Sequence, residues 1–276
     1  MNLRALTSLI RIHNSLLAGV ATVIGAVVAG GSLSFEIGLA VIVTVSISGG
    51  GYAVNDYVDR DIDAVNSPDR PIPSGALDAS LALKVGFALF FVGIISTMFI
   101  SLPCLLLASF SAFLLACYAI DLKRKGLLGN FSIGYLVGSI FLFGGLAVGG
   151  DIAIAGILAA MAGFSTCARE LIKDIEDIRG DRLSGSSSFP LTYGKSKTAM
   201  VAVILTVIAI AISPIPYWTG IFGGLYLTVL AVSIVFFLAG MITIVRKQRK
   251  EDASRSSWFY KVGMGFGVIA FLVGAL

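Results

Sequence analysis

Long apolar runs dominate the pattern of hydrophobic and polar positions along this chain. A membrane-spanning helix needs roughly 20 mostly apolar residues. The run from Thr198 to Val245 carries no charge and is too long for one helix, so Ser213-Pro-Ile-Pro216 is predicted to break it. The pattern predicts nine transmembrane helices, at about 9–29, 35–54, 80–100, 103–120, 131–149, 152–173, 198–217, 220–245 and 257–276. We therefore expect an all-α integral membrane protein that forms one domain over residues 1–276.

The distribution of charge predicts the orientation of these helices. If the nine spans alternate across the bilayer, all 20 Lys and Arg fall on one side, and the opposite turns carry only Glu36 and Asp151. By the positive-inside rule the basic side is cytoplasmic. We expect a multi-pass plasma-membrane protein with a cytoplasmic N-terminus and an outside C-terminus. A cleaved signal peptide is the competing interpretation of residues 1–30, but Arg11, His13 and Asn14 interrupt the approach to the apolar run.

The composition agrees with a lipid environment. Apolar residues make up 57% of the chain and charged residues 13%, against about 25% charged residues in a soluble domain. These values exclude an ordinary soluble domain, a disordered chain and a disulfide scaffold. The three cysteines, Cys104, Cys117 and Cys167, lie in apolar runs and are interpreted as small buried hydrophobic residues.

Two acidic segments follow the second and sixth predicted spans, at the cytoplasmic side. Each contains three aspartates at spacings of three and four residues, which share one face of a helix. They are Asp56, Asp59 and Asp63 in the first segment and Asp174, Asp177 and Asp181 in the second. Asn55 and Glu170 each precede a member of these stripes by four residues and can extend them.

Such stripes indicate a bound cation. Two carboxylates about 4 Å apart repel each other by about 4 kcal/mol at an effective dielectric constant near 20. Oxygen ligands without His or Cys suit a hard ion such as Mg²⁺, which also takes substrate phosphates as ligands. A solvated acidic loop is the alternative, but the same spacing at two cytoplasmic helix ends disfavours it.

Basic residues accompany both acidic segments. Arg60 and Arg70 belong to the first loop, Lys173 to the second segment, and Lys123-Arg-Lys125 follows the fourth span. Positive-inside topology alone could account for any one of them. Together with the acidic stripes, they fit a diphosphate that is held through Mg²⁺ and by Arg and Lys side chains.

These motifs resemble those of a known family. Asn55-Asp-x-x-Asp-x-x-x-Asp63 followed by Arg70-Pro-Ile-Pro-Ser-Gly75, and Asp174-x-x-Asp-x-x-x-Asp181, are similar to the two aspartate-rich motifs of the UbiA family of intramembrane prenyltransferases. The resemblance extends over almost the whole chain. It implies a helical bundle around a central cavity, in which a prenyl diphosphate binds through two Mg²⁺ ions and its tail points towards an opening into the lipid.

The resemblance also implies roles for individual residues. Glu170 departs from the aspartate of some members. Mg²⁺ is the expected cofactor, with the ligands Asn55, Asp56, Asp59, Asp63, Glu170, Asp174, Asp177 and Asp181. The expected catalytic carboxylates among them are Asp59, Asp63, Asp177 and Asp181. The residues expected to bind the diphosphate are Arg60, Arg70, Lys123 and Lys173. Those expected to bind the acceptor are Arg11, His13, Asn14, Tyr118 and Arg124.

Local wording narrows the expected reaction. The stretches 66–75, 169–177 and 189–194 are most similar to archaeal members of the family. These transfer a geranylgeranyl group from its diphosphate to the free hydroxyl of geranylgeranylglyceryl phosphate, which makes the second ether bond of archaeal lipids. Chlorophyll synthases share the Arg-Pro-Ile-Pro-Ser-Gly wording, so an aromatic or chlorin acceptor is the alternative.

Other classes of protein remain as alternatives. A transporter would place its carboxylates near the bilayer midplane, and a CDP-alcohol phosphotransferase would carry one compact acidic block. A lipid-binding protein without chemistry is the third alternative. The expected partners are a prenyl diphosphate, a lipid-phosphate acceptor and membrane lipid. No nucleic acid and no obligate protein partner is predicted.

Overall fold

The computed structural model describes residues 3–32, 34–183 and 185–275, and within them all regular elements are helical. A 3₁₀ turn, Leu122–Arg124, precedes the seventh helix. The helices are α1 (Leu3–Leu9), α2 (Ile12–Val28), α3 (Phe35–Val58), α4 (Arg60–Asn66), α5 (Ala79–Thr97), α6 (Leu102–Ile120), α7 (Leu127–Ala147), α8 (Ile152–Leu183), α9 (Phe189–Tyr193), α10 (Lys195–Ile212), α11 (Ile215–Trp218), α12 (Gly224–Arg246) and α13 (Lys250–Ala275).

The number of helices that could span a membrane agrees with the hydrophobic pattern. In the described part of the chain, eight are long and apolar enough, and the pair α1 and α2 makes nine if it is one bent span. The prediction of an all-helical, multi-pass membrane protein is therefore confirmed. The bend between α1 and α2 is 53°. It occurs at Arg11, whose φ of 44° and ψ of 60° place it in the left-handed region.

Several helices are longer than the apolar pattern predicts. α8 continues to Leu183, so the loop predicted from Arg169 to Lys197 is wrong over most of its length. The reason is that Leu, Ile, Lys, Glu and Arg are compatible with a helix interior whether or not lipid surrounds them. Gly185, with a φ of 69°, follows the end of this helix. α7 and α13 likewise begin before their apolar runs, at Leu127 and Lys250.

Local sequence signals set other helix ends. The break predicted at Ser213–Pro216 is confirmed, because α10 ends at Ile212 and the short α11 follows it. Asp78 caps α5 and accepts hydrogen bonds from the backbone N–H groups of Ser80 and Leu81. The Ser80 hydroxyl and these N–H groups lower the pKa of the Asp78 carboxyl from its ordinary value.

The chain divides into two compact units, and the first comprises the described residues up to Asp121 together with Ile140–Ile152. Here α3 packs against α2, α5 and α6, around Val43, Ile47, Phe90, Cys104 and Ala108. Two glycines allow α2 and α7 to approach closely. A Cβ atom on Gly25 would lie 2.1 Å from the carbonyl oxygen of Phe141, and one on Gly144 would lie 2.0 Å from that of Thr22.

The second unit comprises Leu122–Ser139 and the described residues from Ala153 onward. α12 packs along α13, and α10 packs against α12. Its core includes Leu171, Ile175, Ala202, Phe237 and Tyr260. α7 therefore contributes to both units. The single domain expected over residues 1–276 stays a prediction.

Candidate active site

The first acidic segment, Asn55–Asp63, covers the end of α3 and the beginning of α4. The backbone continues almost helically through the junction. The N–H of Asp59 donates to the carbonyl of Asn55 at 2.9 Å, and the N–H of Asp63 donates to the carbonyl of Asp59 at 2.8 Å. The aspartates of this segment therefore keep the helical spacing expected from the sequence.

Two of these carboxylates are covered by arginines. Asp56 and Asp63 are buried, with 4% and 6% of their surface exposed. Oδ1 of Asp56 accepts a hydrogen bond from Nη2 of Arg11 at 3.0 Å and lies 3.5 Å from Nη1 of Arg70. Nη1 of Arg70 also donates to Oδ2 of Asp63. Two positive charges thus balance two buried negative charges, which makes their burial tolerable.

Aromatic rings support arginines in the same unit. The guanidinium of Arg11 lies 4.7 Å from the centre of the Tyr52 ring, and that of Arg60 lies 4.8 Å from the centre of the Tyr57 ring. Both are cation–π contacts. Nη1 of Arg60 also donates to the Tyr57 carbonyl at 3.0 Å.

Asn55 and Asp59 form the remaining polar pair of the first segment. Nδ2 of Asn55 donates to Oδ2 of Asp59 at 3.0 Å. This hydrogen bond fixes the amide orientation and leaves the amide oxygen of Asn55 as an acceptor. Both side chains are partly exposed, in contrast to the two aspartates under the arginines.

The second acidic segment lies on one uninterrupted helix. Glu170, Asp174, Asp177 and Asp181 follow at intervals of four, three and four residues along α8. They form a stripe about 16 Å long on one helix face, at 1.5 Å per residue. Asp177 is exposed and the other three are partly exposed.

The upper part of this stripe has polar neighbours. Nδ2 of Asn130, a buried residue of α7, donates to Oδ2 of Asp174 at 2.8 Å. Oε1 of Glu170 accepts from Nη1 of Arg169 at 3.0 Å, and its Oε2 lies 3.9 Å from Nζ of Lys173. Lys173, expected at the diphosphate, thus lies beside Glu170.

The basic turn after α6 is held by the segment after α8. The N–H of Ser187 donates to the carbonyl of Arg124 at 2.9 Å, and the N–H of Ser186 donates to the carbonyl of Asp181 at 2.9 Å. These bonds connect the Lys123-Arg-Lys125 turn to the lower end of the acidic stripe. Lys123 is partly exposed and Arg124 is exposed.

The other residues expected at the acceptor are placed differently from one another. Arg11 belongs to the buried ion-pair group described above. His13 and Asn14 lie in the first turn of α2 with exposed side chains, and Tyr118 lies near the end of α6, partly exposed.

Sequence reasoning missed three residues at these sites. Asn130 and Tyr52 contact a predicted site residue, and Nε of Arg169 is buried without a hydrogen-bond partner among the described residues. A lone amide at the start of an apolar helix was a usable signal for Asn130. The tyrosine carried no such signal, because its role depends on an arginine 41 positions earlier in the chain.

The family was then identified by comparison with known proteins. The sequence profile of the UbiA prenyltransferase family matches residues 18–264. The chain belongs to the UbiA family. This UbiA protein is 42% identical to the digeranylgeranylglyceryl phosphate synthase of Natronomonas pharaonis, over 99% of this chain and 97% of that relative. It is therefore an enzyme, a prenyltransferase, as the two aspartate motifs predict.

Solved structures support the same assignment. The UbiA chain is similar to a solved structure of digeranylgeranylglyceryl phosphate synthase, with a TM-score of 0.86 and 36% identity over 99% of this chain and 98% of the other. It shares its fold with a UbiA homologue from Archaeoglobus fulgidus that was solved with DMAPP and Mg²⁺. That comparison gives a TM-score of 0.69 and 14% identity, over 97% of this chain and 99% of the other.

The donor atoms of this UbiA protein fit a magnesium ion. In the described ranges, no three or more His, Cys, Asp or Glu side chains converge on one point. Mg²⁺ does not require such a cage, because it commonly takes one or two carboxylates together with water and substrate phosphates. The stripe on α8 and the Asn55–Asp59 pair present only oxygen donors, which suit a hard ion. Asp56 and Asp63 fit less well, since arginine guanidiniums already lie against them.

Proposed function

We propose that this enzyme transfers the geranylgeranyl group of geranylgeranyl diphosphate to the free hydroxyl of geranylgeranylglyceryl phosphate. The product would carry the second ether bond of an archaeal membrane lipid. The observation that carries this proposal is the near full-length similarity, at 42% and 36% identity, to proteins named for digeranylgeranylglyceryl phosphate synthesis. An aromatic or chlorin acceptor is not favoured by these relatives.

The acidic segments supply the proposed metal ligands. We assign Mg²⁺ to Asn55 and Asp59 of the first segment and to the carboxylates of the second, which are Glu170, Asp174, Asp177 and Asp181. When bound, Mg²⁺ would supply positive charge to the leaving diphosphate. Asp63 would contribute indirectly, because its carboxylate holds Arg70.

Basic residues complete the binding of the leaving group. Arg60, Lys123 and Lys173 would donate hydrogen bonds to the diphosphate oxygens, and the Lys173 ammonium is kept in place by Glu170. As the bond between C1 of the prenyl group and the diphosphate oxygen breaks, its electron pair goes to the diphosphate. Charged donors fixed in advance stabilise that developing charge without reorganisation.

The acceptor hydroxyl supplies the new bond. Its oxygen attacks C1 of the prenyl group, and its proton passes either to a carboxylate or to the released diphosphate. A site shielded from bulk water protects the allylic cation from hydrolysis. Positive-inside topology supports a plasma-membrane enzyme whose acidic segments face the cytoplasm.

A direct assay tests this function. Purified protein is incubated with radiolabelled geranylgeranyl diphosphate and Mg²⁺, with or without EDTA. The acceptors offered separately are geranylgeranylglyceryl phosphate, 4-hydroxybenzoate, a naphthoate and chlorophyllide. We expect an ether product with the glycerol phosphate alone, and its loss in EDTA. Product only with an aromatic or chlorin acceptor would contradict the proposed substrate, and no product with any acceptor would contradict the reaction.

A further inference from the structure

The buried ion-pair group of the first unit exposes its cations and hides its anions. The group comprises Arg11, Asp56, Asp63 and Arg70. The carboxylate side chains of Asp56 and Asp63 are 6% and 9% exposed, whereas the side chains of Arg11 and Arg70 are 33% and 34% exposed. Although the formal charges cancel, solvent meets guanidinium groups. A face of this kind favours an anion.

Each guanidinium keeps unused donors. Arginine has five N–H groups in a planar fork. The contacts with Asp56 and Asp63 use Nη2 of Arg11 and Nη1 of Arg70, so the other terminal nitrogen of each is not engaged by these carboxylates. Both guanidiniums meet at the same oxygen, Oδ1 of Asp56. The buried carboxylate therefore brings two forks together.

The backbone at Arg11 is held in an unusual conformation. Its φ of 44° lies in the left-handed region, and it is the residue other than glycine with positive φ among the described residues. Tyr52 supports the guanidinium, and Asp56 binds it. Strained conformations persist where surrounding contacts over-determine them, and they concentrate at functional sites.

We propose that Arg11 and Arg70 bind the phosphate group of the acceptor lipid, and that Asp56 is a positioning residue which holds both guanidiniums and is not a ligand of Mg²⁺. This inference rests on the proposed function, in which the acceptor carries a phosphate monoester. Paired arginine forks match the geometry of such a group directly. A prenyl diphosphate bound through Mg²⁺ needs accessible carboxylates, which this group does not offer.

The test compares the binding of two ligands that differ in their phosphate groups. Dissociation constants are measured for geranylgeranylglyceryl phosphate, for the same lipid without its phosphate, and for geranylgeranyl diphosphate with Mg²⁺. We expect Arg11→Gln and Arg70→Gln to weaken binding of the phosphorylated acceptor at least tenfold. The constants for the lipid without phosphate and for the diphosphate should change less than twofold. Arg255→Gln, at an exposed arginine of α13, is the matched control and should change none of them.

Asp56→Asn separates positioning from metal binding. We expect it to weaken acceptor binding at least fivefold while the Mg²⁺ concentration that supports diphosphate binding stays within twofold of wild type. A large rise in that concentration would identify Asp56 as a metal ligand and overturn the assignment. Equal losses for the acceptor and the diphosphate in the arginine variants would also overturn it, because the site would then belong to the diphosphate.

Further controls keep folding and function apart from this inference. Arg11→Lys and Arg70→Lys retain the ion pairs but lose the planar fork, so they should fold and still weaken acceptor binding at least threefold. Unchanged binding in these folded variants would overturn the phosphate site. If wild-type protein neither binds nor converts geranylgeranylglyceryl phosphate, the proposed function itself fails. If wild type binds it and the arginine variants bind it equally well, only the present inference fails.

Discussion

Aspartates at identical spacing serve different purposes in this enzyme. Asp56 and Asp63 are buried beneath two guanidiniums, whereas Asp177 is exposed on the surface of α8. A carboxylate already paired with arginine has its charge compensated. An exposed carboxylate beside two other acidic groups is free to gain from a divalent cation. The division follows from which distant segments reach each side chain.

At the residue scale we predict that Asp59→Ala and Asp177→Ala each lower turnover at least tenfold without unfolding the protein. Each removes an oxygen ligand proposed for Mg²⁺ from a partly or fully exposed position, so little packing is lost. Initial rates with purified protein, together with thermal midpoints, measure this. Asp69→Ala, at an exposed aspartate of the same loop region, is the control and should keep turnover within twofold. Near-normal rates in both variants would contradict the metal-site assignment.

At the scale of whole elements, periodicity and apolar length predict which helices exist, and they fail where charge or backbone conformation decides the ends. The proline break after Ile212 has a direct sequence signal. The bend at Arg11 has none, because arginine rarely adopts positive φ and its stabilising partners, Tyr52 and Asp56, come from α3. The ligand types could be predicted from spacing, whereas the burial of Asp56 required knowing where Arg70 folds back.

The crossing of α2 and α7 gives an element-scale prediction. Gly144→Ala should lower the free energy of unfolding by about 1–3 kcal/mol, because the new methyl group would meet the carbonyl oxygen of Thr22. Gly156→Ala is the matched control, since nothing lies within 4 Å of its added Cβ. It should be neutral or stabilise α8 by up to about 1 kcal/mol. Thermal unfolding in detergent compares them, and equal midpoints would contradict the close approach.

The cap of α5 gives a pH-dependent prediction. The lowered pKa of Asp78 means that its charged form stabilises the folded state above its ordinary value of 3.8, and that this contribution is lost as the pH falls through the lower folded value. Asp78→Ala should therefore lower the thermal midpoint at pH 7, and the difference from wild type should shrink as the pH approaches 3. A difference that does not vary with pH would show that the charge of the cap is unimportant.

At the scale of the whole molecule, the charge asymmetry predicts how the chain lies in its membrane. Cysteine scanning tests this on a Cys117→Ser background, since Cys104 and Cys167 are buried. Exposed Ser254 should, as cysteine, react with an impermeant maleimide only in inside-out vesicles. Exposed Ser32 should, as cysteine, react only in right-side-out vesicles. The reverse pattern would overturn the expected orientation.

The length of α8 has a consequence for the lipid around it. Its 32 residues extend about 48 Å, against a hydrocarbon core of about 30 Å. The acidic stripe belongs to the same rigid rod as the membrane anchor, so bilayer thickness sets its height above the lipid surface. A thicker bilayer would bring Glu170 closer to hydrocarbon and make its charge more costly. An enzyme that builds membrane lipid would then sense, through this rod, the bilayer to which its product belongs.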